Sequence, residues 1–97
     1  MTKVLCSIHR DNIFFDCEGH SYYKNEEGYN NVCAEVSTLC CMLVRYIHSK
    51  GHEPDICTDG HVRINIDIRT HEAEVFSAAM LEFNAIAERY PEHIKVY

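Results

Sequence analysis

Asp59-Gly60-His61-Val62-Arg63-Ile64-Asn65-Ile66-Asp67-Ile68-Arg69 decides the fold. Val62, Ile64, Ile66 and Ile68 alternate with Arg63, Asn65, Asp67 and Arg69. That is the two-residue period of a strand with one face on a core and the other in water. Asp59-Gly60 tolerates positive backbone angles and predicts a two-residue hairpin turn, which pairs residues 55–58 with residues 61–69. A sheet with one wet face needs helices on the other.

The chain supplies two. Over residues 32–50, Val32, Val36, Leu39, Cys40, Leu43 and Ile47 recur at helical spacing. Gly51 is placed as the stop, and Asn30 or Asn31 can accept a first-turn amide as cap. Residues 71–89 predict a second helix, capped by Thr70, with Glu72 and Glu74 in its first turn. Its apolar stripe runs through Phe76, Ala79, Met80, Phe83, Ala87 and Tyr90, and Pro91 ends it. Upstream, residues 3–8 and 13–19 read as an opening hairpin about Arg10-Asp11-Asn12. Val4, Cys6 and Ile8 share one face, as do Ile13, Phe15 and Cys17. Residues 94–97 are too short for more than a terminal edge strand. The expected fold is a single α+β domain over residues 1–97, ordered ββαββα: a two-layer sandwich with a mainly antiparallel four-stranded sheet and both helices on one face.

Composition narrows the partners. At 97 residues the chain can build one modest core, and at 46% hydrophobic and 25% charged residues it is an ordinary globular sequence. A net charge of −6 excludes a chain-wide attraction to nucleic acid or anionic membrane and suits a basic partner segment. No apolar run approaches the roughly 20 residues of a membrane span, and the first residues lack a signal peptide's apolar region, so a cytoplasmic location is expected. In that compartment the six cysteines read as free thiols.

One stretch lacks a period. Residues 20–31 carry Tyr22, Tyr23, Gly28, Tyr29, Asn30 and Asn31, and so long a loop in a small domain suggests a mobile lid or binding segment. It separates His20, at the end of a strand, from Cys33, in the first turn of a helix. There the free amides and the positive end of the macrodipole favour a thiolate, the form that acts as nucleophile, and can stabilise an oxyanion. Strand alternation points His20 away from Ile13, Phe15 and Cys17. If the strand ends beside the helix start, an imidazole stands near the sulfur, the pairing used in nucleophilic catalysis. Ser37, four residues on from Cys33, lies one turn along the same helical face. Residue types alone also allow a plainer account in which Cys33 is a small buried apolar group and the tyrosines cover the core. A metal site from His9, Cys17, His20 and Cys33 lacks the close-paired spacing of structural zinc, so no metal or other cofactor is expected.

Gly19-His20, a variable loop, then Gly28-Tyr29-Asn30-Asn31-Val32-Cys33-Ala34-Glu35-Val36-Ser37 resembles the motif of the ribosomal-processing cysteine protease family, Prp. The family pattern is Gly-His, then Gly-x-Asp-hydrophobic-Val-Cys-Ala-x-Val-Ser. The resemblance implies an endopeptidase that removes the N-terminal extension of a large-subunit ribosomal protein during bacterial ribosome maturation. It implies Cys33 as nucleophile, His20 as base, Ser37 beside them, residues 21–29 as a segment closing over peptide with Tyr22, Tyr23 and Gly28 in it, and a homodimer. Asn30 and Asn31 stand where the family has an aspartate and a hydrophobic residue. Asn30 can still cap but cannot stabilise an imidazolium by charge. That departure leaves an alternative, a catalytically weak relative that binds a basic ribosomal-protein segment.

Overall fold

The computed structural model describes residues 1–19, 31–67 and 72–97. Its elements run β1 (Thr2–His9), β2 (Asn12–Glu18), α1 (Asn31–Ser49), β3 (Ile56–Thr58), β4 (His61–Asp67), α2 (Glu72–Arg89) and β5 (Ile94–Val96). The predicted hairpins form. Arg10 takes a positive φ of 54° in the first turn, and Gly60 takes 89° in the second, where the absence of Cβ removes the cost.

Register explains the core. Phe15 pairs with Cys6 on one side and Ile64 on the other, and Cys17 pairs with Val4 and Val62. The apolar positions of three strands therefore share one face. Val4, Ile13, Phe15, Ile64 and Ile66 are buried there together with Val32, Val36, Leu43 and Ile47 of α1 and Phe76, Phe83 and Ile86 of α2. Phe15 is central: its ring meets Phe76 edge-on at 6.0 Å and Phe83 at 5.7 Å, contacts that add about 0.5–1.5 kcal/mol each beyond area burial. The opposite face carries Lys3, Asp16, Arg63 and Asn65, as the alternation requires.

Two details of the expected sheet are corrected. It has five strands, in the order β3-β4-β2-β1-β5, and it is mixed, because β5 runs parallel to β1. Parallel pairing needs a long crossover, and α2 provides it. The Thr2 amide donates to the His93 carbonyl at 2.9 Å and the Tyr97 amide to the Val4 carbonyl at 2.8 Å. The order is thus ββαββαβ, with the other three pairings antiparallel. Because β5 reaches only Thr2–Val4, the rest of β1 is a sheet edge, and Ile8, read onto the same strand face as Val4, is 43% exposed. On α2 the buried stripe is Phe76, Ala79, Phe83 and Ile86, with Met80, Ala87 and Tyr90 at its half-buried margin. Ile68 and Thr70 lie outside the described residues.

Candidate active site

Helix α1 buries Val32, Val36, Cys40, Leu43 and Ile47. The neighbouring stripe, Cys33, Ser37, Cys41, Val44 and His48, turns instead toward the β3–β4 hairpin. Between the two lies a cleft of about 470 Å³. Its far wall is the hairpin turn from Thr58 to His61, and Cys17 and Gly19 come from the end of β2. The lining is mostly apolar, with Arg45, His48, Asp59 and His61 as its ionisable groups besides the thiols.

The structure brings Cys33 and Ser37 together on this cleft. Cys33 sits in the first turn of α1 and is half-buried, while Ser37 is exposed. His20, Tyr22, Tyr23, Gly28 and Asn30 lie outside the described residues. Gly19, the residue that leads into His20, lines the same cleft as Cys33. Its amide donates to the Gly60 carbonyl at 2.8 Å, and its φ is +108°. The end of β2 is thus fastened to the hairpin turn.

That wall has its own support. On the outer face of the sheet Asp16 accepts from His61 Nε2 at 2.7 Å and from Arg63 Nε at 3.2 Å. A carboxylate can only accept, so Nε2 of His61 carries its hydrogen toward Asp16. The side chains of Asp16 and His61 are only 18% and 22% exposed, whereas Arg63 is 39% exposed and its share is weakened by solvent. Asp16→Ala should cost about 1–3 kcal/mol, chiefly by leaving His61 without its acceptor. A chemical denaturation series would show it as a lower midpoint with an unchanged slope; an unchanged midpoint would assign the hairpin's position to backbone pairing alone. Glu18 stands with Asp16 and His61, their potential ligand atoms all within 4.8 Å of one another. Arg63 already occupies Asp16 there, a cation where a metal ion would need free lone pairs.

Reading the sequence placed Cys33 and Ser37 on one helical face, which lines the cleft, but did not anticipate the opposite wall or the gathering of Cys17, Cys40, Cys41 and Cys57 around it. A signal for the near wall was present: Cys33, Ser37, Cys41, Val44 and His48 recur at helical spacing beside the core stripe. Nothing comparable marked the far wall, because it depends on β4 pairing with β2.

A family model described as cysteine protease Prp matches residues 1–95. The chain belongs to the cysteine protease Prp family. Among solved structures, it is similar to an essential ribosomal processing protease Prp from S. aureus in complex with a covalently linked product peptide, with 25% identity and a TM-score of 0.75 over 99% of this chain and 97% of that one. The S. aureus Prp in complex with a substrate peptide aligns at 24% identity and a TM-score of 0.67, covering 100% and 98% of the two chains. SMU.848 from Streptococcus mutans aligns at 24% and 0.67, covering 99% and 91%; these two likenesses speak for the fold. No curated protein matches the chain significantly. As a Prp-family member the chain is a cysteine protease, and among the described residues no helix is long and apolar enough to cross a membrane.

Proposed function

We propose that this chain is a cytoplasmic cysteine endopeptidase that removes the N-terminal extension of a large-subunit ribosomal protein, with Cys33 as nucleophile and His20 as base. The observation that carries the reading is the place of Cys33: first turn of a long helix, open to a cleft, in a chain matched to the Prp family almost end to end. The S. aureus relative's covalently linked product peptide supports a covalent route here.

In that route the imidazole of His20 takes the proton of Cys33 as its sulfur attacks the scissile carbonyl. The carbonyl oxygen gains the charge, which the positive end of the α1 macrodipole favours. Collapse breaks the C–N bond, and the imidazolium returns the proton to the leaving amine. Water then attacks the thioester, with His20 as base, and frees the carboxylate and the thiol. Peptide bound along the cleft passes Ser37, while Tyr22, Tyr23 and Gly28, in a mobile loop expected over 20–31 but ended by α1 at Asn31, close over it and Asn30 caps the helix. The active form is a homodimer.

The test is turnover of a synthetic peptide that spans the ribosomal protein's extension and cleavage junction, followed by mass spectrometry. Two fragments summing to the substrate plus one water are expected. Binding of the peptide without cleavage would replace this reading with that of a binding module, which the Asn30 and Asn31 departures favour. Failure of both binding and cleavage would remove the ribosomal substrate.

A further inference from the structure

An extended peptide brings a main-chain N–H and C=O into the cleft at nearly every residue, and in a mostly apolar cleft these groups need partners. The α1 wall offers few. Beyond its first turn a helix bonds its own amides and carbonyls, so from Ser37 to Val44 this wall presents side chains. The hairpin wall is different. β3 is the outermost strand of the sheet on this side, and its Cys57 and Thr58, both exposed, line the cleft.

The ladder decides which β3 groups are open. Bonded and non-bonded pairs alternate along an antiparallel ladder, and β3 meets β4 as Ile56↔Arg63, Cys57↔Val62 and Thr58↔His61. Two printed distances fix the alternation. The Gly19 amide donates to the Gly60 carbonyl at 2.8 Å, and two residues further along each strand Cys17 is opposite Val62, so the main chain of Val62 serves β2. The Asp55 amide donates to the Arg63 carbonyl at 2.8 Å, so the main chain of Arg63 serves β3. Cys57 and Val62 are therefore the non-bonded pair, and the N–H and C=O of Cys57 point away from β4, out of the sheet edge. Among the described residues no strand lies beyond them. Register also puts the Cys57 side chain on the sheet face of Val62 and Cys17, which line the same cleft.

We propose that the peptide substrate pairs with β3 as an added edge strand, its main chain bonding to the N–H and C=O of Cys57. This deepens the peptidase reading and rests on it. One amide of the peptide donates to the Cys57 carbonyl, and one carbonyl of the peptide accepts from the Cys57 amide. The side chains of a strand so placed alternate between the α1 side, where Cys41 and Val44 stand, and the solvent side. Main-chain pairing then supplies affinity for any extended segment, and the residues facing α1 supply selection.

The experiment changes the main chain and leaves the side chains alone. Binding of the synthetic peptide that spans the extension and its junction is read by fluorescence anisotropy on the full chain with Cys33→Ala, which holds the peptide uncleaved. Cys57→Pro is then added to remove the Cys57 N–H, a change that an edge strand tolerates where that N–H faces outward. The dissociation constant should rise about 3- to 10-fold, while Cys57→Ala, which keeps the main chain, should stay near the parent. A second series replaces each amide of the peptide in turn by an ester, which deletes one N–H and weakens one carbonyl acceptor. A loss of about 3- to 10-fold is expected at one or two neighbouring positions. The ester at the carbonyl that accepts from Cys57 should lose less in Cys57→Pro, where the donor is already gone. Should Cys57→Pro fail to fold by circular dichroism, the ester series on the unaltered β3 decides. Equal losses in Cys57→Ala and Cys57→Pro, or tight binding insensitive to every ester, would overturn the pairing and leave the peptidase reading standing. No binding even to the Cys33→Ala chain would remove the ribosomal substrate, and the pairing with it.

Discussion

Cys33→Ala should reduce cleavage of the extension peptide by on the order of 10⁴-fold or more while leaving the fold in place. The size follows from what is removed. Without sulfur the covalent route disappears, and only peptide binding and the amides at the start of α1 remain to favour attack by water. The stability should change by no more than about 1 kcal/mol, because Cys33 is half-buried and sits beside the core stripe of α1 rather than within it. The measurement is paired: single-turnover rates at saturating peptide, and a denaturation curve on the same preparation. Peptide affinity should survive, since the cleft is lined by many other groups. A variant that cleaves at the parent rate would mean that another residue is the nucleophile, and four other thiols line the same cleft.

Those thiols show where the sequence was legible. The alternation in β4 and the helical stripe of α1 are local patterns, and each is set by the face its own element buries, so both could be read directly. The place of Cys33 could be read for the same reason: it is set by a helix start two residues away. Cys17 and Cys40 are 23 positions apart and come to the same cleft only when β2 and α1 pack. Their relation is tertiary, and no local period announces it. The parallel pairing of β5 is of the same kind. Residues 94–96 look like any short apolar segment, and their partner is chosen by where α2 returns the chain. Ile86 was passed over because Ala87 and Tyr90 fit the helical period nearly as well, and only the packing of α2 into the core decides which side is innermost. For His20, Tyr22, Tyr23, Gly28 and Asn30, the sequence and the family motif remain the only source.

Gly19→Val should damage both stability and activity, and the balance between the two losses reveals what the glycine does. At φ +108° the position suits glycine, and a β-branched residue there is strained even in open space. The space is not open. A Cβ at residue 19 would collide with the carbonyl oxygen of Met1 and press on its carbon at 3.3 Å and on the Thr2 Cα at 3.4 Å. These are backbone atoms, and the Thr2 amide is itself bonded to the His93 carbonyl, so the start of β1 cannot yield without loosening β5. The expected cost is about 2–4 kcal/mol, from strain and collision together. If the end of β2 yields instead, the amide of residue 19 leaves the Gly60 carbonyl and the following residue, His20, shifts. With His20 as the base proposed above, a displacement of about 1 Å can cost roughly 10²-fold, and a loss of at least that size in cleavage rate is expected. Deleting Met1 from the variant removes the collision and leaves the backbone strain. Recovery of activity on that deletion would trace the defect to the crowded N-terminus. Persistent loss would trace it to the angle at which the strand hands the chain to His20. A Gly19→Val protein as stable and active as the parent would show that this junction does not set the imidazole's place.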